Sequence, residues 1–287
     1  MKKRSAIDAN LGFSLVEIAI VLVIISVLVT IISVPLATQA EQRRVEETLK
    51  QLETIKESLI GFASAKGRLP CPATLTSLGQ ESFCTSAAGG CVATTTEQSH
   101  GRCESNVAFV PAVTLGISPV DSSGFAVDAW ALPQNRIRYA VANTSITAGT
   151  PPSCTIAAAY VLTSSATGMR TATMGCLADN TVDPVTNKPL VPLLTVCAVT
   201  PTGAAGVATG CTAPLATRAP FVLISLGKNA STGGTDIHEA HNVDSDSYFV
   251  SHTPTPAGST SGEFDDIVAW GSMNTLFARM VQAGKLP

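Results

Sequence analysis

The stretch FSLVEIAIVLVIISVLVTIISVPL, residues 13–36, carries a single charge, and its reading decides the fold. As a helix it is ~36 Å long at ~1.5 Å per residue, enough to cross the apolar core of a bilayer. The run is longer than the apolar region of a secretory signal peptide and lacks an Ala-x-Ala exit, so ordinary signal-peptidase processing is not expected. Lys2, Lys3 and Arg4 stand close before it, whereas Glu41 partly offsets Arg43 and Arg44 behind it. The positive-inside bias therefore keeps the N-terminus cytoplasmic and sends everything after Leu36 across the membrane. The one charge, Glu17, costs at least ~2.5 kcal/mol if it is ionised in lipid, so it must snorkel to the near surface, stay protonated or meet a cation.

Upstream of that charge, Lys2-Lys3-Arg4 and then Leu11-Gly12-Phe13-Ser14-Leu15-Val16-Glu17 lead into the apolar run. This combination resembles the prepilin leader of type IV pilins and type II secretion pseudopilins: a short basic leader, glycine before the cut, phenylalanine after it, and glutamate four residues later. Ser14 stands where that family more often has threonine. The resemblance implies cleavage between Gly12 and Phe13 and N-methylation of Phe13 by a prepilin peptidase. Cleavage would create an α-amino group one helical turn from Glu17, a cation beside a buried anion, and gives Glu17 a role in assembly. Pro35 lies where pilin-like helices often carry a kinking proline, since proline removes a helix hydrogen bond and clashes with the preceding turn. Its other reading is the plain end of the membrane helix.

Beyond Pro35, Val45, Leu49, Leu52, Ile55, Leu59 and Phe62 recur at steps of four and three, with Glu46, Glu47, Lys50, Glu53, Lys56 and Glu57 elsewhere. That period predicts an amphipathic continuation of the helix, stopped by Gly67 and Pro70. Four segments are expected: a leader at 1–12, a transmembrane helix at 13–36, its amphipathic continuation at 37–66, and an exported β-rich domain at 67–287.

The composition changes in the exported part. Lysine falls to Lys188, Lys228 and Lys285 beyond residue 66, and small, hydroxylated and β-branched residues dominate. The whole chain is 45% hydrophobic and 14% charged, with a net charge of −3. A packed core is expected, and nucleic-acid binding is not. Cys71, Cys84, Cys91, Cys103, Cys154, Cys176, Cys197 and Cys211 all follow the apolar run, and none forms a Cys-x-x-Cys pair. Disulfides made outside the cytoplasm fit best, the alternative being buried free thiols, and the pairing stays open among all connectivities. Short apolar runs at Arg136–Val141, Ala157–Thr163, Leu190–Val199, Pro220–Leu226, Ser247–Val250 and Asp266–Trp270 read as strands between Gly-, Pro- and Thr-rich loops. Residues Ser272–Ala283 read as a closing helix, with Ser272 as cap, Leu276, Phe277, Met280 and Val281 on one face and Gly284 ending it. The expected class is α+β and pilin-like: a long N-terminal helix packed on a mostly antiparallel sheet with long loops.

Two further stretches resemble pseudopilins. Asp128-Ala129-Trp130 followed by Asn135 and Tyr139 is similar to their Asp-x-Trp-Gly-Asn-Pro turn, with Ala131 in place of the glycine. Ser225–Asn229 with Phe264–Trp270 is similar to the C-terminal loops in which that family often holds calcium, which makes Asp244, Asp246, Asp265 and Asp266 candidate ligands. The alternative is a solvated acidic loop with Asp turns. Calcium is the only cofactor so implied. Enzyme signatures fail: Gly258–Gly262 has threonine where a nucleophile elbow needs serine, and His238-Glu239-Ala240-His241 is one residue short of the zinc-protease spacing. Asp236, His238, Glu239 and His241 could bind a metal ion, or simply be polar loop residues. The function so implied is structural: a minor pilin or pseudopilin in the inner membrane, with prepilin peptidase and other pilin-like subunits as partners. The competing reading is a membrane-tethered adhesin or ligand-binding domain on a pilin-type anchor.

Overall fold

The computed structural model describes residues 14–130, 135–155, 157–166, 168–185, 190–231, 236–260 and 262–286, apart from the side chains of 29–37. The leader, Gly12 and Phe13 lie outside these residues, whereas the backbone at Pro35 lies within the first helix. The chain divides into two units, Met1–Arg44 and Val45–Pro287. The first helix, α1, runs Leu15–Lys66. In the first unit its large apolar side chains from Leu15 to Leu28 are each between 48% and 88% exposed. Among the described residues no helix is long and apolar enough to cross a membrane, a statement that does not reach 29–37.

The second unit begins on the rest of α1, where Thr48, Leu52, Ile55, Leu59, Ile60 and Ala63 are buried. This corrects the expected stripe. Leu49 is 49% exposed and Val45 and Phe62 are only half-buried, because the small Thr48 and Ala63 face the domain and Thr48 Oγ1 accepts from Ala129 N at 3.2 Å. The helix stops where Gly67 turns to φ +79° and its N–H closes on Ala63 O, the left-handed geometry that glycine takes without strain.

The remaining elements follow in chain order: β1 (Phe83–Cys84), β2 (Ala93–Thr94), β3 (Val107–Phe109), α2 (Ala112–Leu115), β4 (Arg138–Val141), α3 (Met169–Ala172) and α4 (Met174–Ala178). Then come β5 (Leu194–Cys197), β6 (Pro214–Ala219), β7 (Phe221–Ser225), α5 (Ala240–Val243), β8 (Tyr248–Val250), β9 (Ile267–Trp270) and α6 (Met273–Gln282). The main sheet has the order β3-β4-β7-β9 and is antiparallel throughout. A second sheet, β6-β5-β8, joins β5 to β6 antiparallel and to β8 parallel, and β1 pairs with β2 alone. The fold is therefore α+β, with an N-terminal helix and mostly antiparallel sheets.

Every residue of β7 is buried, so both faces of the main sheet are covered. Leu52, Ile55 and Leu59 of α1, Tyr139 of β4, Phe221 and Leu223 of β7 and Leu276 of α6 belong to one hydrophobic core. In α6 Leu276, Phe277 and Met280 are buried as expected, but Val281 is 42% exposed and the Ser272 side chain makes no capping bond. The segment Ala157–Thr163 forms no strand: it makes one bridge, Ala158 to Ile146, and then turns at Tyr160 with φ +51°. Strands β3 and β6 lie outside the expected runs; half of β6 is exposed and β3 is only three residues long.

Two polar features sit inside this core. Arg68 is 1% exposed, and its Nη1 and Nη2 donate to Glu81 Oε1 and Oε2 at 2.7 and 3.2 Å. Its Nη1 also donates to Leu69 O, its Nε donates to Glu97 Oε1, and the guanidinium lies over the rings of Phe62 and Phe83. Hydrogen bonding from Arg68 holds the Glu97 carboxyl below its ordinary value. Tyr139 is fully buried, its hydroxyl donates to Pro70 O at 3.0 Å, and burial raises its pKa well above the usual phenol value.

Candidate functional site

Glu17 lies in the first turn of α1, where the first helical bond runs from Ile18 N to Ser14 O at 3.1 Å. A carboxylate there meets the partial positive charge of a helix N-terminus, worth ~0.3–1 kcal/mol. The side chain is exposed, as are the apolar residues that follow it. A helix apolar on all its faces is one that is normally buried, in lipid or among other helices. Glu17 is the lone charge on that surface up to Leu28.

The second unit is braced by four disulfides: Cys71–Cys103, Cys84–Cys91, Cys154–Cys176 and Cys197–Cys211. No cysteine is left free. Three links join consecutive cysteines, and Cys71–Cys103 encloses the Cys84–Cys91 link; the sequence separations run from 7 to 32. In the chain-entropy account such links each stabilise a fold by ~2–4 kcal/mol. They also hold long turn-rich segments that the two small sheets could not order alone.

The Asp128 turn is built as a network. Asp128 is 2% exposed; its Oδ1 accepts from Trp130 N at 3.0 Å, and its Oδ2 accepts from Asn135 Nδ2 at 3.0 Å and Ser225 Oγ at 2.6 Å. Asn135 Nδ2 also donates to Gly227 O. The turn is thereby stitched to the end of β7, and Ala131 lies outside the described residues.

The four candidate aspartates do not form one site. Asp265 and Asp266 come together with Glu239, and Asp244 and Asp246 come together with His241, the ligand atoms of each trio lying within 4.8 Å of one another. In the first trio Glu239 is completely buried; both its carboxylate oxygens accept from Asn229 Nδ2, and Oε1 also accepts from Asp265 N. Asp265 Oδ2 accepts from the backbone of Lys228 and Asn229, and Asp266 Oδ2 accepts from Asn242 Nδ2 at 2.8 Å. Among the described residues, Oδ1 of Asp265 and Oδ1 of Asp266 are buried with no hydrogen-bond donor. Burial first, and then the Glu239 charge, pushes the Asp265 carboxyl up to about 6; burial raises Asp266 well above the usual range. Gly227 leaves room for this trio, because a Cβ there would lie 2.4 Å from Asp265 Oδ1. Three acidic groups with two buried, undonated oxygens fit a hard oxygen-seeking cation. Glu239 escaped sequence reasoning as a partner of the aspartates, since it is 26 positions from Asp265 and only the fold brings them together.

Of the failed enzyme signatures, Glu239 and His241 go one to each acidic trio, and the rest stays apart from both. Gly258–Gly262 forms consecutive turns, with Ser259 N on Pro256 O and Gly262 N on Ser259 O, and Ser261 lies outside the described residues. His238 packs on His252 at 4.6 Å between ring centroids, and His252 stacks on Phe264. His241 instead joins the second acidic trio.

No curated protein and no solved structure shows a significant match to the chain. Residues 8–33 do match a family, described as the Prokaryotic N-terminal methylation motif. That segment includes Gly12, Phe13 and Glu17 and more than half of the apolar run. The chain thus carries the class III leader of type IV pilins and pseudopilins and begins as a type IV pilin-like precursor of the kind that prepilin peptidase processes.

Proposed function

We propose that this chain is a minor pilin- or pseudopilin-like structural subunit, assembled into a type IV pilus or a type II secretion pseudopilus. The observation that carries the reading is the methylation motif at 8–33, continuing into a helix whose apolar side chains are exposed on every face. In this reading prepilin peptidase cuts between Gly12 and Phe13 and methylates the new amino group. The protein waits in the inner membrane as a single-pass subunit with its N-terminus cytoplasmic. The disulfide-braced unit is then exported, in keeping with eight cysteines all in disulfides.

Leaving lipid for a bundle of like helices gives apolar contacts little power to select an axial register, because lipid tails are nearly as apolar as leucine. A Glu17 carboxylate meeting the Phe13 α-ammonium of a neighbouring subunit neutralises two buried charges and fixes the register. A shifted register leaves both unpaired at several kcal/mol. Glu17→Ala is expected to be inserted and processed normally but to enter filaments poorly, with near-isosteric Glu17→Gln in between. The measurement is the ratio of filament-associated to membrane-pool protein for each variant. Equal incorporation of Glu17→Ala and wild type would remove Glu17 as the register element, and a tethered adhesin that never enters a filament would show no filament pool at all.

The acidic trio adds calcium to this reading, supported by the two undonated oxygens of Asp265 and Asp266. Glu239, Asp265 and Asp266 would hold the ion, which would neutralise their charge and pin the loop after β7 to the start of β9. Calcium at a hundred times its dissociation constant stabilises by about 2.7 kcal/mol. The oxidised chain is expected to melt higher in calcium than in chelator, and Asp265→Asn to lose that shift. A calcium shift of equal size in Asp265→Asn would overturn the assignment.

A further inference from the structure

We propose that His241, Asp244 and Asp246 form a second, chemically distinct metal site, built for a borderline divalent ion of the zinc type. The three ligand atoms, one from each side chain, lie within 4.8 Å of one another. His241 is 2% exposed, and its Nδ1 is buried with no hydrogen-bond partner among the described residues. That nitrogen lies 3.6 Å from Asp244 Oδ2, beyond hydrogen-bond reach and aimed at the carboxylate pair. A buried ring nitrogen left without a donor or acceptor is the feature of this cluster that asks for a ligand.

The donor set selects the ion. Calcium takes six to eight oxygens and has little use for an imidazole, whereas zinc binds imidazole nitrogen and carboxylate oxygen alike at ~2.0–2.2 Å. Ligand atoms on a tetrahedral ion at that distance are ~3.4 Å apart, so closing the present trio calls for small side-chain shifts. All four carboxylate oxygens already accept a backbone N–H. Asp244 accepts from Asp246 N and Gly206 N, and Asp246 accepts from Tyr248 N and Ala208 N. Each oxygen keeps a second lone pair for a cation, and the amide bonds orient it as outer-shell contacts do in metal sites. Burial, and then the neighbouring Asp246 charge, raises the Asp244 carboxyl, a penalty that a bound cation relieves. Arg138 contributes one positive charge nearby but shares it with Asp266, so the pair of aspartates is not neutralised by it. Asp244 and Asp246 are only half-buried, which leaves the fourth position open to a water.

The site would act as a clasp. The ion would draw together α5 through His241, the turn at 244–246, and the loop at 206–208 that hangs from those two aspartates. Cys197–Cys211 already closes the base of that loop, so the metal would fix its tip.

The test uses the full oxidised chain in detergent, stripped with chelator and titrated with zinc against a chromophoric chelator. One zinc equivalent is expected in the wild type, along with slower proteolysis within 201–210 when zinc is present. His241→Gln should weaken binding by at least about tenfold to a hundredfold, the loss seen when even outer-shell partners of a metal are removed. Because His241 is buried, the half-exposed Asp246→Asn serves as the second variant, and near-UV circular dichroism shows that each remains folded. The proposal is overturned if the wild type takes up no zinc, or if folded His241→Gln and Asp246→Asn both bind it as tightly as the wild type.

Discussion

Gly12→Val is expected to leave the whole protein at precursor mass in the inner membrane, with no mature N-terminus at Phe13. The chain at a peptidase site must lie close against the enzyme backbone, and glycine allows such an approach where a β-branched side chain blocks it. The consequence reaches past the cut itself. An uncut chain has no α-ammonium group at residue 13, so Glu17 of a neighbour has nothing to meet, and Lys2, Lys3 and Arg4 still hold the leader on the cytoplasmic face. Loss of processing should therefore carry complete loss of filament entry, a stronger defect than that of Glu17→Ala, which keeps its amino group. Intact-mass analysis of the membrane and filament fractions decides it. A species lacking residues 1–12 in the Gly12→Val strain would end the proposal of cleavage at this bond.

The second large effect concerns the second unit, Val45–Pro287. Arg68→Ala is expected to destabilise it by ~3–5 kcal/mol, because Glu81, also buried, would lose the forked guanidinium. Only the bond from Cys71 N would then remain on Glu81 Oε1, and the rings of Phe62 and Phe83 would lose the flat cation between them. Arg68→Lys should recover only part of the loss, since an ammonium cannot form the two parallel bonds. Replacing both partners, as Arg68→Met with Glu81→Leu, should cost much less than Arg68→Ala, because an apolar pair leaves no buried charge. Urea unfolding of the oxidised chain measures all three. A loss below ~1 kcal/mol for Arg68→Ala would mean that the pair is as weak as one on the surface.

Local signals carried much of the fold. The helix stop at Gly67, the strand cores at β4, β7, β8 and β9, and the closing helix were all legible, because each depends on periodicity and turn residues within a few positions. The buried stripe of α1 was read rightly at Leu52, Ile55 and Leu59 but one step off at its ends, where Thr48 and Ala63 are buried instead of Leu49 and Phe62. Leu49 is the larger side chain, yet Thr48 is the one that meets the Asp128 turn, through Ala129 N, and burial follows shape as well as hydrophobicity. Ala157–Thr163 looked like a strand by composition, but the turn at Tyr160 limits its pairing to the single bridge from Ala158 to Ile146.

The sequence by itself determined the start of this protein. The basic leader, Gly12, Phe13, Glu17 and the apolar run are contiguous, and their chemistry with lipid, peptidase and neighbouring helix depends only on their order along the chain. Only the tertiary structure decided how the eight cysteines pair and how the acidic residues divide. Asp244 and Asp246 sit close in sequence to His241, but Asp265 and Asp266 meet Glu239 only because β9 lies beside β7 and the loop after β7 returns to Glu239. Whether a carboxylate is a solvated turn or part of a cation site depends on what surrounds it within a few ångströms. Chain order does not encode that distance; folding sets it.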